Sequence, residues 1–113
     1  MGDRANIVIK EDTSGGEVWL YTHWRGSEYE EILRRALAKR WRWSDPSYLA
    51  RIIFAEMTRG SEQDETGFGI STVMGDNSHP ILVVDCKKQE VRWETEETRR
   101  VERQQSFVEF VKG

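Results

Sequence analysis

Between Ser27 and Met57 the apolar residues recur every three or four positions, whereas before and after that stretch they alternate. This switch of period, two to 3.6 and back to two, is what most restricts the fold. A helical pair inserted between strand-forming segments must pack an apolar stripe on the apolar face of a sheet. Ahead of the helices, Ala5–Lys10 reads as a strand with Ile7 and Ile9 on one face and Val8 on the other. The glycine-containing loop at 12–16 then leads into a second strand, Val18–Trp24. There Val18, Leu20, Thr22 and Trp24 share a face, and a hairpin is the expected connection.

The first helix is expected to begin at Ser27, with Glu30 completing a capping box, and to bury Tyr29, Ile32, Leu33, Ala36, Leu37 and Trp41. The second starts near Ser44 or Asp45 with Pro46 in its first turn. It buries Leu49, Ile52, Ile53 and Met57 and stops by Gly60. An acidic loop, Ser61–Thr66, leads to a strand over Phe68–Met74 and a turn over Gly75–Pro80. Ile81–Asp85 is apolar enough to be covered on both faces. Lys87-Lys88-Gln89 turns into Glu90–Glu94, where Val91 and Trp93 face the same way. Thr95–Gln105 carries no clear period and reads as a loop or frayed helix, and Ser106–Val111 reads as a short capped helix, with an edge strand as the alternative for so short a segment. The fold class is therefore α+β, in the order ββααβββα: a mostly antiparallel sheet of about five strands with two main helices on one face.

A chain of 113 residues fits a single domain, 1–113, and five tryptophans compensate for modest aliphatic content. The net charge of −3 offers no general attraction to nucleic acid or to an anionic membrane. Cys86 is the only cysteine, so an intrachain disulfide is excluded and a reducing compartment, the cytoplasm or a host cytoplasm, is expected. No secretory segment or membrane span is recognisable, and Asn6 does not fit the myristoylation pattern that Gly2 would need.

The opening Met1-Gly2-Asp3-Arg4-Ala5-Asn6-Ile7, the segment Leu20-Tyr21-Thr22-His23-Trp24, and Asp45 to Ile53 carry a resemblance, together with Thr66 to Ser71 and Pro80 to Asp85. From the first strand to about Asp85 the chain resembles a group of small bacteriophage and bacterial proteins without an established activity. The resemblance implies a phage-associated context and no chemistry. The ending Ser106-Phe107-Val108-Glu109-Phe110 is similar to the closing helix of some immunity-type modules.

Chemistry is most concentrated at Tyr21–Ser27, where a strand runs straight into a helix N-terminus. Unpaired amides and the helix dipole favour an anion there. Arg25 adds a fork of donors, His23 a titratable ring and Trp24 a stacking surface, while Gly26 permits close approach. His23, Trp24, Arg25 and Ser27 are the expected ligand-binding residues. The ordinary reading of the same residues is a capped helix, a core tryptophan and a satisfied histidine.

Asp76, Asn77, Ser78 and His79, with Asp85 and Cys86, include metal-ligand and nucleophile types. Their spacing matches no zinc signature, and a turn explains them more simply. No metal and no cofactor are expected, and Gly67-Phe68-Gly69 lacks what a dinucleotide or P-loop site requires. Arg34, Arg35, Lys39, Arg40 and Arg42, interleaved with Trp41 and Trp43, could contact nucleic acid. An ion-paired helix face with Trp41 in the core is preferred, as for Arg51 and Glu56 on the second helix.

The leading functional expectation is a non-enzymatic, phage-associated accessory protein that binds a small anionic ligand or a host protein. The alternatives are a small hydrolase or nucleotide-processing enzyme, with His23 paired to Asp85 or Asp76, and a structural or oligomer-forming protein.

Overall fold

The computed structural model describes residues 2–11 and 16–113, so the expected loop at 12–16 falls outside it except for Gly16. Its strands are β1 (Ala5–Lys10), β2 (Glu17–Thr22), β3 (Phe68–Ser71), β4 (Ile81–Asp85), β5 (Glu90–Glu94) and β6 (Val101–Ser106). Its helices are α1 (Tyr29–Ala38), α2 (Pro46–Met57) and α3 (Phe107–Lys112). The sheet has six strands in the order β3-β2-β1-β4-β5-β6.

Two features of the sheet correct the sequence-based expectation. The first is a sixth strand, Val101–Ser106, which lies, but for Ser106, in the segment expected to be a loop or frayed helix and pairs antiparallel with β5. Its polar sequence gives no period because, at the edge of the sheet, most of it is exposed. The second is the join between β1 and β4, which is parallel and sets Ile7 beside Leu82 and Ile9 beside Val84. The sheet is therefore mixed: two antiparallel blocks meet at one parallel seam.

The register puts Ile7, Ile9, Leu20, Leu82, Val84, Val91 and Trp93 on one face, where they form a single core with α1, α2 and α3. Phe107 and Phe110 of α3 are fully buried in it. Trp43 meets Phe107 edge-on at 5.2 Å, and Trp93 lies 5.7 Å from Phe110 between ring centres. Cys86 belongs to this core, and burial, reinforced by neighbouring Asp85, pushes its thiol up to about 12. α2 starts as its sequence dictates, with Asp45 accepting from the Tyr48 amide ahead of Pro46. α3 carries the full capping box between Ser106 and Glu109.

α1 departs from expectation at both ends. A 3-10 turn, Gly26–Glu28, precedes it, and no side chain caps it. Ser27 is committed elsewhere, and Glu30 accepts from the Trp93 indole at 3.0 Å. At the other end the helix stops at Ala38, and Trp41 stands 60% exposed rather than extending the buried stripe. Similarly, Trp24 lies beyond the end of β2 and is exposed, and the third strand ends at Ser71 rather than Met74.

The second face of the sheet has a small apolar centre, Val8, Trp19, Ile81 and Val83. The connection between β5 and β6 folds back over it. Arg99 lies 5.1 Å from the Trp19 ring and joins Glu94 of β5 to Glu17 of β2. With Asp85 and Arg92 paired at 3.0 Å, this layer is charged and internally matched, buried at Asp85, Arg92 and Glu94 and half-buried at Arg99 and Glu17. Ile81–Asp85 is buried throughout, as its apolar run requires.

Candidate functional site

Residues 2–4 run beside the strand-to-helix junction and lock it from within. The Asp3 amide donates to the His23 carbonyl at 2.8 Å, and the Gly26 amide donates to the Asp3 carbonyl at 2.7 Å. A β-carbon on Gly26 would sit 2.6 Å from that Asp3 oxygen, so glycine is required there by this chain's own backbone. The Asp3 carboxylate then takes the Ser27 amide at 2.9 Å and the Ser27 hydroxyl at 2.6 Å on one oxygen. His79 Nε2 donates to the other at 2.7 Å.

These bonds, those from Ser27 and His79 foremost, hold the Asp3 carboxyl at about 2, below its usual 3.8. The anion that the sequence pattern invites to this junction is thus present, and it is Asp3. Nothing in the local motif announced it, because the partner lies outside the strand–helix segment.

The four expected ligand residues have separate attachments. His23 Nδ1 faces the Tyr21 hydroxyl at 3.0 Å and Arg4 Nε at 3.4 Å. An arginine can only donate, so Nδ1 is the acceptor and the ring proton sits on Nε2. Arg25 Nη1 donates to the Met57 carbonyl at 2.8 Å, closing the C-terminal end of α2, and Nη2 meets Glu28. Ser27 is held by Asp3. Trp24 alone keeps a large free surface; it meets His23 edge-on at 4.2 Å and lies against Gly67, where a β-carbon would be 2.6 Å from the indole nitrogen. Gly67, at φ 102°, is the residue from which β3 starts.

No family model, curated protein or solved structure matches this chain.

The turn at 75–80 is anchored on the same N-terminal residues. The Asn6 side chain donates to the Gly75 and Asp76 carbonyls and to Asn77 Oδ1, and accepts from the Gly75 amide. His79, paired with Asp3 and 5.5 Å from the Tyr29 ring, lines an open cleft of about 330 Å³ with Asn77, Thr95, Glu96, Glu97 and Glu102. The histidine–aspartate pair that the fold assembles is thus His79 with Asp3. His23 is not joined to Asp85, which lies at the other end of β4 and accepts from Arg92 and the Lys87 and Lys88 amides. The pair is not a nucleophile-activating triad. Asp3 stands between Ser27 and His79, so the hydroxyl donates its hydrogen bond to the carboxylate and not to the imidazole. Among the described residues no group of three or more His, Cys, Asp and Glu converges as a metal site, and no helix is long and apolar enough to cross a membrane.

A second opening lies beyond Trp24. An apolar groove of about 260 Å³ runs between α2 and the outer strands, lined by Val18, Leu20, Ala50, Phe54 and Ile70, with Ser47 and Arg51 at its polar margin. Ile70, on β3, is 63% exposed. Of the groove residues only Arg51 is singled out in the sequence, and there as part of a mixed-charge helix face; the apolar ones fit ordinary strand or helix positions.

Proposed function

We propose that this chain is a non-enzymatic binding protein that receives an extended apolar segment of a partner protein along the free edge of β3. The supporting observation is the contrast between the two sheet edges. β6 reads Val-Glu-Arg-Gln-Gln-Ser and carries a register shift against β5, the charges and irregularity by which edges resist pairing. β3, Phe-Gly-Ile-Ser, has no charge and no proline, and among the described residues no strand pairs with its outer side.

A strand added there gains backbone hydrogen bonds and can seat alternate side chains in the groove beside Ile70. Among the described residues Arg51 is the one charged residue that lines the groove, so the fitting segment carries an acidic residue next to its apolar anchor. Trp24 widens the surface at the end where β3 begins, and is the member of the group His23, Trp24, Arg25 and Ser27 that takes part in this reading. Binding of a small anion at the same junction would require Asp3 to leave the Ser27 amide, which places that reading second. The enzymatic alternative would start from His79 and Asp3, with no activated nucleophile beside them among the described residues. The resemblance to small phage and bacterial proteins supplies the context: an accessory factor in the cytoplasm of a bacterial host.

Selection from a displayed random-peptide library tests the reading. Enriched sequences should alternate apolar positions with an acidic residue, lose binding to Ile70→Lys, and keep binding to Arg25→Ala. Absence of enrichment, or equal binding to Ile70→Lys, would overturn it. So would a concentration-dependent dimer abolished by Ile70→Lys, which would make the occupant a second copy of the chain.

A further inference from the structure

The segment after α1 builds a different surface, independent of the β3 edge. Lys39-Arg40-Trp41-Arg42-Trp43 leaves the helix with Arg40 at φ 58° and Arg42 at φ 56°. The left-handed region costs a non-glycine residue roughly 1–2 kcal/mol, so two such arginines in three residues are a conformation the rest of the fold enforces. Its effect is to separate the two tryptophans. Trp43 turns inward, donating its indole N–H to the Leu37 carbonyl at 3.0 Å, and Trp41 turns out into solvent.

Each ring in this surface has a cation beside it. Lys39 Nζ is 5.4 Å from the Trp41 centre, the Arg40 guanidinium 5.1 Å from Trp43, and the Arg42 guanidinium 4.7 Å from Tyr48. Tyr48, like Trp41, is at least half exposed. Among the described residues neither Arg40 nor Arg42 has a carboxylate within ion-pair distance. Lys39 shares the single carboxylate of Glu56 with Arg35 and Arg59. The patch is therefore locally basic although the chain is acidic overall.

We propose that this surface binds single-stranded nucleic acid, bases stacking on Trp41 and Tyr48 and phosphates meeting Lys39, Arg40 and Arg42. The objection from sequence was that Trp41 belonged to the core and that the basic residues were neutralised along a helix. The structure retains that pairing for Arg34 and Arg35, both beside Glu31, and for Lys39 at Glu56, but among the described residues Arg40 and Arg42, beyond the end of the helix, have no such partner. Exposed aromatic rings flanked by free guanidinium groups suit a flexible strand, whose bases offer a ring face at every step. A duplex keeps those faces stacked. Binding through so few phosphates is weak, and salt reduces it.

The test is fluorescence anisotropy of a labelled oligothymidylate of about 12 nucleotides at low ionic strength, repeated with rising salt. Saturable binding is expected, weakened about tenfold by Trp41→Ala, a change worth roughly 1–3 kcal/mol per stacked base. Arg42→Ala should weaken it and lower the salt slope by about one phosphate contact, whereas Arg42→Lys should keep that slope. Because Trp41 is exposed, Trp41→Ala should keep the wild-type urea midpoint, which separates loss of binding from loss of fold. The proposal is overturned by absence of saturable binding, or by binding indifferent to Trp41→Ala. It is also overturned if vesicles containing anionic lipid, and not the oligonucleotide, bind in a Trp41-dependent way.

Discussion

Glu56→Gln should lower stability and raise oligonucleotide affinity at the same time. The Glu56 side chain, only 9% exposed, receives Lys39 at 3.2 Å, Arg35 at 3.4 Å and Arg59 at 3.6 Å, whose side chains are 36%, 36% and 70% exposed. Exposed pairs contribute about 0.2–1 kcal/mol each, and removing the charge also relieves the cost of burying it. The net loss is then about 1–1.5 kcal/mol at low salt. With an m-value of about 1–1.5 kcal/mol/M for a domain of this size, the urea midpoint should fall by about 1 M.

The pH dependence gives an internal control. Burial alone would raise the Glu56 carboxyl, but hydrogen bonds and charge from Lys39, Arg35 and Arg59 bring it below its ordinary 4.5. Its folded value is depressed, so its contribution is fully present above about pH 4.5 and disappears as pH falls through the folded value. Wild type and variant should therefore differ at pH 7, differ less at high salt, and converge in acid. The freed cations should tighten the labelled oligonucleotide several-fold at low salt. A variant as stable as wild type at pH 7, or a gap unchanged in strong acid, would refute the electrostatic reasoning; weaker oligonucleotide binding would refute its link to the basic patch.

Asp3→Asn should release residues 2–4, seen as faster amide exchange at Ser27 at neutral pH. In the wild type that protection should fade as pH drops from about 4 towards about 2, the interval between the ordinary value of the Asp3 carboxyl and its depressed folded value. Phe110→Ala, which empties a fully buried site beneath Trp93 and the Arg34 guanidinium, should cost about 3–5 kcal/mol in urea denaturation. Cys86, its thiol pushed up to about 12, should resist iodoacetamide at pH 8 in the folded protein and react once urea unfolds it.

The elements that were legible in the sequence are those whose own residues fix them. Asp45-Pro46 starts α2, Ser106 with Glu109 caps α3, and the apolar run Ile81–Asp85 marks a strand buried on both faces. What was not legible depends on partners far along the chain. Val101–Ser106 becomes a strand only because β5 offers an edge, and Ser27 fails to cap α1 because Asp3 claims it. Trp41 fits the helical spacing of the core stripe, yet the helix ends before reaching it, at a loop whose left-handed arginines no residue preference foretells. The candidate site divides in the same way. Its residue types were recognisable at Tyr21–Ser27, but the His79–Asp3 pairing and the groove beside Ile70 arise from tertiary assembly.

The parallel seam has a consequence for the order of folding. The β1–β2 hairpin and the β4–β5–β6 meander each form from near neighbours, but Ile7 meets Leu82 only after the chain between them has been gathered in. Closing so long a loop carries an entropic penalty that local pairing avoids, so joining the halves is the natural slow step. Mutations at Val8 or Val83 should then retard refolding, whereas those on exposed β6 should chiefly hasten unfolding. Until the seam closes, both central strands present bare edges, and this interval is when the chain is most open to mispairing with its neighbours.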